Sequence, residues 1–215
     1  MMELIIPNQE VMNTKDRITI DVIKDGENFL KQFDINHELL LDVTSIIYRY
    51  LRITGKIPHN LYKFFISAYY IISRHPMAFP VHEPKKRFCK IFGLQPSSLD
   101  YCVEKLTGLL KYVKILDDKN FPYYLDPKND LSFKLAKSMV KMEVEKSMMN
   151  FLIGNQQFNA QFLTEELVTK LIFEMNAFPE ELFRQFYEIL FELVESALQD
   201  QNYSEYIQLQ NKYFI

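Results

Sequence analysis

The stretch LYKFFISAYYII, residues 61–72, decides the fold class of this chain. Its apolar side chains cover most of the circumference of one helix, at Leu61, Phe64, Phe65, Ala68, Tyr69, Ile71 and Ile72. A helix that is apolar nearly all round lies buried at the centre of a fold. The small residues Ser67 and Ala68 in its middle indicate that a neighbouring helix approaches closely. Pro58 opens this unit, and His75-Pro76 ends it.

Amphipathic helices are predicted on both sides of this stretch. Asn36 caps a helix over 37–54 that ends at Gly55, a residue suited to the left-handed conformation. Thr14 caps an earlier helix, and Gly26 bends or ends it. Later helices are predicted over 131–153, broken at Gly154-Asn155, then from Thr164 to about 176, from Pro179 to 198, and over 203–214. No segment alternates like a strand, and glycines are few, so the predicted fold class is all-α.

Turn residues and charge divide the chain into four predicted segments. They are a flexible leader over 1–13, a helical domain over 14–116, a connector over 117–130 and an acidic helical domain over 131–215. The formal net charge is only −3. The acidic residues gather at the end, however, with ten anions and three cations from Thr164 onward. An acidic, aromatic helical surface favours a protein partner, or the chain's own basic region.

Residues 85–113 carry the one pattern with a mechanism. A short helix over 85–92 stops at Gly93, a turn follows, and Ser97 or Ser98 caps a longer helix. This is the layout of a helix-turn-helix, whose second helix can lie in a major groove. Between residues 85 and 114 there are seven cations and two anions. The predicted DNA-binding residues are Lys85, Lys86, Arg87, Lys90, Ser97, Ser98, Tyr101 and Lys105.

The same layout is also a common packing unit in helical proteins. Asp100, near the start of the second helix, opposes a phosphate backbone, and that helix lacks the Arg or Asn that most often reads a base. A helical scaffold that binds another protein without nucleic acid is therefore the alternative prediction.

A resemblance to a known protein family favours DNA or the transcription machinery as the partner. Residues 65–74, FISAYYIISR, are similar to the form AAAxxYxxxR, with Ala68, Tyr69 and Arg74 in similar places. Residues 86–94 and 97–111 follow as a short helix and a final helix, and Pro122-Tyr-Tyr-Leu125 is similar to a linker. In these patterns residues 39–110 resemble one cyclin-like repeat of the transcription initiation factor B family of archaea and eukaryotes.

The resemblance implies a cyclin-like helical domain with a helix-turn-helix. A second helical segment, or a divergent second repeat, would then follow from Leu131. It implies a role in transcription through contact with DNA or with proteins of the transcription machinery. The chain departs from the family in two respects: it lacks the cysteines of a zinc ribbon, and its acidic C-terminal half is unlike the family's basic core that grips promoter DNA.

Nothing in the sequence predicts catalysis, a metal or a cofactor. The four histidines have no metal-ligand spacing, and the two cysteines predict reduced thiols. The five glycines are scattered, so no phosphate loop is present. Glu180, Glu181, Glu188, Glu192 and Glu195 fit the solvated face of one helix. A helical enzyme with a site assembled from distant residues stands third among the hypotheses.

The absence of a signal peptide and of a long apolar run predicts a cytoplasmic location, nucleoid-associated if the protein binds DNA, with no membrane partner.

Overall fold

The computed structural model describes residues 16–126, 128–152 and 159–200. Within them the chain is mostly helical, with eight α-helices and one small sheet, so the predicted all-α class is confirmed at that level. The chain divides into two compact units, Met1–Leu131 and Ser132–Ile215. The predicted leader over 1–13, the break at Gly154-Asn155 and the helix over 203–214 lie outside the described residues. The predicted cap at Thr14 is wrong, because the helix begins at Arg17 and its N-cap is Asp16, whose side chain accepts a hydrogen bond from the Ile18 amide.

The first unit contains five helices followed by a hairpin. The helices are α1 (Arg17–Leu30), α2 (Leu40–Thr54, after a 3-10 turn at His37–Leu39), α3 (Leu61–Ile72), α4 (Lys85–Ile91) and α5 (Pro96–Leu110). A second 3-10 turn, Pro76–Ala78, follows α3. The strands are β1 (Val113–Leu116) and β2 (Pro122–Leu125).

Helix α3 lies at the centre of this unit, as its sequence predicts. Every side chain from 64 to 72 is buried, and the helix packs against α1, α2, α5 and β2. The predicted ends of the preceding helix are also confirmed. The Asn36 side chain accepts a hydrogen bond from the Glu38 amide at 3.0 Å, and Gly55 has φ +61°.

Gly26 neither bends nor ends α1, which continues to Leu30. It is buried instead, and it lets Phe65 of α3 approach the backbone of α1. That Ser67 and Ala68 admit a neighbouring helix stays a prediction.

The predicted absence of strands is wrong. β1 and β2 pair antiparallel, with Val113 opposite Leu125 and Leu116 opposite Pro122, and β2 takes up four residues of the predicted connector over 117–130. Asp117 shapes the turn, because its Oδ1 accepts from the amides of Lys119 at 2.9 Å and Phe121 at 2.7 Å. The last three residues of β2, Tyr123, Tyr124 and Leu125, are all buried. A strand buried on both faces shows no alternation of apolar and polar residues, so β2 was not recognisable from its sequence.

The second unit contains α6 (Leu131–Leu152), α7 (Ala160–Thr169) and α8 (Phe183–Asp200). A π-helical turn, Lys170–Glu174, extends α7, and a 3-10 turn, Glu180–Leu182, precedes α8. Helices α7 and α8 pack through Leu163, Leu167, Phe186, Leu190 and neighbouring buried residues.

Thr164 does not start a helix in this unit, contrary to the prediction. The cap is Asn159, whose Oδ1 accepts from the Phe162 amide at 3.1 Å, while the Thr164 hydroxyl donates to the Ala160 carbonyl inside α7. The five glutamates of the predicted solvated face are all exposed. Among the described residues, no helix combines the length and the apolarity needed to cross a membrane.

Candidate nucleic-acid interface

Helices α4 and α5 are joined by a short turn, in the order that the predicted helix-turn-helix requires. Gly93, with φ +60°, lies in the turn between them. Phe88, Cys89 and Phe92 on one side and Leu99, Cys102 and Leu106 on the other are buried, so the pair is fixed to the core through α3. Helix α5 begins at Pro96, ahead of the start that a cap at Ser97 or Ser98 predicts. Its N-cap is Gln95 with Pro96 in the first turn, so Ser97 and Ser98 are not caps.

Four predicted DNA-binding residues share one surface of α5. Ser97, Tyr101 and Lys105 follow one another at intervals of four residues, the spacing of one helix face, and all three are exposed. The Lys105 Nζ lies 5.7 Å from the ring centroid of Tyr101 and 5.6 Å from that of Phe64. Together with Ser98, these residues border a cleft of about 380 Å³ whose other wall includes His59, Asn60 and Lys63.

The basic residues of α4 are Lys85, Lys86, Arg87 and Lys90, and two of them, Lys85 and Arg87, form ion pairs with acidic residues. Lys86 and Lys90 are exposed. Lys85 Nζ contacts both carboxylate oxygens of Asp100, at 2.9 and 2.8 Å, and this bond raises the pKa of Lys85. Arg87 Nε lies 2.9 Å from Glu83 Oε1. Asp100, which counted against DNA contact in the sequence, is therefore neutralised by a lysine of the neighbouring helix.

A second basic cluster was missed in the sequence analysis. A cleft of about 440 Å³ lies between the helix-turn-helix and the hairpin, and its lining includes Arg74, Lys85, Lys114 and Lys119. Arg74 is only 4% exposed, and its guanidinium carbon lies 3.6 Å from the ring centroid of Tyr70. Burial lowers the pKa of Arg74. The sequence offered Arg74 only as a match to a family pattern, with no sign of this surface.

Three side-chain contacts fix the hairpin and the turn after it. Arg49 Nη1 of α2 lies 2.5 Å from Asp126 Oδ2, directly after β2. The His82 Nε2 lies 3.0 Å from the Tyr123 hydroxyl. The buried His75 ring bonds Asp130, with its Nδ1 accepting from the Met77 amide.

The backbone adds another link, because the Tyr124 amide donates to the Arg74 carbonyl at 3.2 Å. The hairpin is consequently held in one position beside α4 and α5.

The described part of the chain has no group of three or more His, Cys, Asp or Glu residues arranged to hold a metal ion. Cys89 and Cys102 are free and buried. Burial raises the pKa of both thiols, which keeps them in the unreactive protonated form at neutral pH.

Comparison of the chain with protein-family models, with curated proteins and with solved structures found no match.

Proposed function

We propose that this chain is a non-enzymatic, transcription-related protein that binds duplex DNA through α4, α5 and the hairpin. One observation carries the proposal: a helix-turn-helix is followed directly by a β-ribbon, and lysines are distributed over both. A major groove admits either an α-helix or a two-stranded ribbon, so each element has a place on a duplex. The resemblance to a cyclin-like repeat of transcription initiation factor B supports the same role.

The residues take different parts in this proposal. Lys86 and Lys90, exposed on the first helix, hold backbone phosphates, which fix the orientation of the protein. Ser97, Tyr101 and Lys105 lie on the exposed face of the second helix and reach base edges or phosphates. Lys85 contributes by neutralising Asp100, so the start of the second helix can approach a phosphate backbone.

Fluorescence anisotropy with a labelled duplex at two salt concentrations tests the proposal. Binding should weaken steeply with salt, because each neutralised phosphate contributes about −0.9 to the slope of log K against log salt. The double variant Lys86→Glu with Arg87→Glu should lose duplex binding while keeping its circular dichroism spectrum. Lys24→Glu in α1 with Lys31→Glu at its C-cap is the matched control, since it changes the net charge equally outside α4, α5 and the hairpin.

Unchanged affinity in the Lys86→Glu, Arg87→Glu protein would refute this assignment of the interface. No binding by the native protein at low salt would refute DNA binding altogether.

The second candidate function is a protein-binding scaffold without nucleic-acid contact. The observation that favours it is an exposed apolar loop after α3. Phe79 is 50% exposed with φ +44°, and Val81 is 86% exposed. Apolar side chains held out in this way suit a protein partner. Such binding would respond weakly to salt and would be lost in Phe79→Ser with Val81→Ser, whereas duplex binding would not.

A further inference from the structure

Arg74 is a buried cation without a buried anion. In native proteins a buried charge is normally paired, because removing it from water is costly. Of the residues that the structure describes, no carboxylate lies within ion-pair distance of the Arg74 guanidinium. Its Nη2 donates to the Glu83 carbonyl at 3.2 Å, and its buried Nε has no hydrogen-bond partner. Since a guanidinium carries five N–H donors, much of its hydrogen-bonding capacity is unused.

Aromatic rings hold this guanidinium in place without using its donors. Its central carbon lies 3.6 Å from the ring centroid of Tyr70, 5.1 Å from that of Phe121 and 5.5 Å from that of Phe88. Cation–π contacts stabilise the charge through the ring faces. Among the described residues the Nε–H has no hydrogen-bond partner, and Arg74 borders the cleft.

The surroundings of Arg74 add further positive charge. Lys85, Lys114 and Lys119 line the same cleft of about 440 Å³. The two acidic residues in the lining already have cationic partners, since Asp100 bonds Lys85 and Glu83 bonds Arg87. Lys114 and Lys119 are exposed on the hairpin, which lines the cleft together with Lys85 of α4. Cations from two separate elements thus face one space with room for an anion.

We infer that this Arg74 cleft binds one phosphate group, through the guanidinium of Arg74 and the ammonium groups of Lys114 and Lys119. A guanidinium fork matches the oxygens of a phosphate, and two lysines supply the additional charge that a phosphate attracts. The inference rests on the proposed function in taking a DNA backbone phosphate as the ligand, and free phosphate offers the same chemistry. A backbone phosphate held here would contact the helix-turn-helix and the hairpin at once. That contact would fix the register of both elements on the duplex.

The test compares the native protein with Lys114→Ala, Lys119→Ala and with Arg74→Lys. The lysine variants alter exposed positions, so they should fold. Arg74→Lys keeps the charge and removes the fork. Two probes are used: a labelled duplex in fluorescence anisotropy, and inorganic phosphate followed by NMR at the Arg74 Nε–H and the hairpin amides. Lys24→Ala in α1 with Lys31→Ala at its C-cap is the matched control.

We expect the Lys114→Ala, Lys119→Ala protein to bind duplex roughly 10-fold more weakly, with the salt slope reduced by about 1 for each lost phosphate contact. Inorganic phosphate should shift the Arg74 and hairpin signals of the native protein and leave those of this variant unchanged. Arg74→Lys should weaken both responses. If Arg74→Lys fails to fold, the Lys114→Ala, Lys119→Ala protein alone tests the phosphate site.

The outcomes separate this inference from the proposed function. Salt-sensitive duplex binding that is the same in the native protein and in the lysine variant would overturn the phosphate site and leave DNA binding standing. Phosphate binding in the cleft without duplex binding would support the site, with free phosphate as its source, and refute the proposed function. If neither probe binds, both fail.

Discussion

Gly26 of α1 faces the aromatic ring of Phe65 of α3 so closely that no side chain fits between them. A Cβ added at Gly26 would lie 2.1 Å from two ring atoms of Phe65 and 2.4 Å from a third. Phe65 is fully buried, so the ring has little freedom to move aside. The contact joins the first helix of the unit to the central one.

The variant Gly26→Ala should therefore be destabilised. Overpacking a buried site typically costs about 1–3 kcal/mol, more than the gain in helix propensity from alanine. Urea unfolding followed by circular dichroism measures the change. Gly108→Ala in α5 is the control, because nothing lies within 4 Å of its added Cβ. The control should gain about 0.4–1 kcal/mol. Equal effects in the two variants would mean that Gly26 is not held against Phe65.

The ion pair between Arg49 and Asp126 should contribute strongly to the stability of the first unit. The Asp126 side chain is fully buried and the Arg49 side chain is 14% exposed. Asp126→Asn leaves the guanidinium without its anion, and breaking a buried pair in this way costs about 3–5 kcal/mol.

The control for this prediction is Glu27→Gln, which breaks the exposed pair with Lys31. An exposed pair is worth about 0–1 kcal/mol. Chemical denaturation of both variants gives the comparison. Losses of similar size would show that the Arg49 pair is no stronger than a surface contact.

Tyr112 makes the stability of the protein depend on alkaline pH. Burial raises the pKa of Tyr112 above its ordinary value of 10.0, and within the described part of the chain no group meets the geometry of a hydrogen bond to its buried hydroxyl. The folded state therefore keeps the phenol proton more tightly than the unfolded state does. The resulting contribution to stability is complete below pH 10 and is lost as the pH rises above it.

Tyr112→Phe removes this dependence. The free energies of unfolding of the two proteins should diverge between pH 8 and pH 10.5 in favour of the variant, as measured by urea titration at each pH. At pH 8 the variant should be at least as stable, since a buried hydroxyl without a partner contributes little. A constant difference across the two pH values would contradict the prediction.

Asp100 sets the charge at the start of α5 under the proposed function. Asp100→Asn removes an anion and releases Lys85 from its ion pair, so duplex binding should tighten and its salt slope should steepen by about one phosphate contact. Anisotropy titrations at two salt concentrations measure both effects. Asp25→Asn on α1 carries the same change in net charge and should leave the affinity unchanged. Weaker binding in Asp100→Asn would mean that the pair with Lys85 positions the interface.

Local patterns were sufficient to predict the helices of the first unit. The apolar circumference of residues 61–72 identified the central helix, and Asn36 and Gly55 marked the ends of α2. The hairpin escaped because β2 is buried on both faces and each strand has only four residues. The predicted cap at Ser97 or Ser98 is wrong for a different reason. Pro96 pre-sets the backbone for the first turn, so the helix begins ahead of the two serines.

The candidate site, too, could be predicted from the sequence only in part. Lysines concentrated over residues 85–114 can be counted in the sequence, so that part of the interface was predictable. The environment of Arg74 depends on Tyr70, Phe88 and Phe121, which belong to three separate elements, and no pattern along the chain records that they meet. Charge density is visible in a sequence, whereas the absence of a partner for one charge appears only in the folded chain.

The pairing of Arg49 with a residue 77 positions later has a consequence for synthesis. A nascent chain grows from its N-terminus, so α2 leaves the ribosome long before the carboxylate that Arg49 needs. Until residue 126 emerges, burying Arg49 is unfavourable, and the early helices cannot complete their packing. The first unit is thus expected to finish folding in one late step, when the hairpin arrives, and chains halted before that point would be targets for proteolysis.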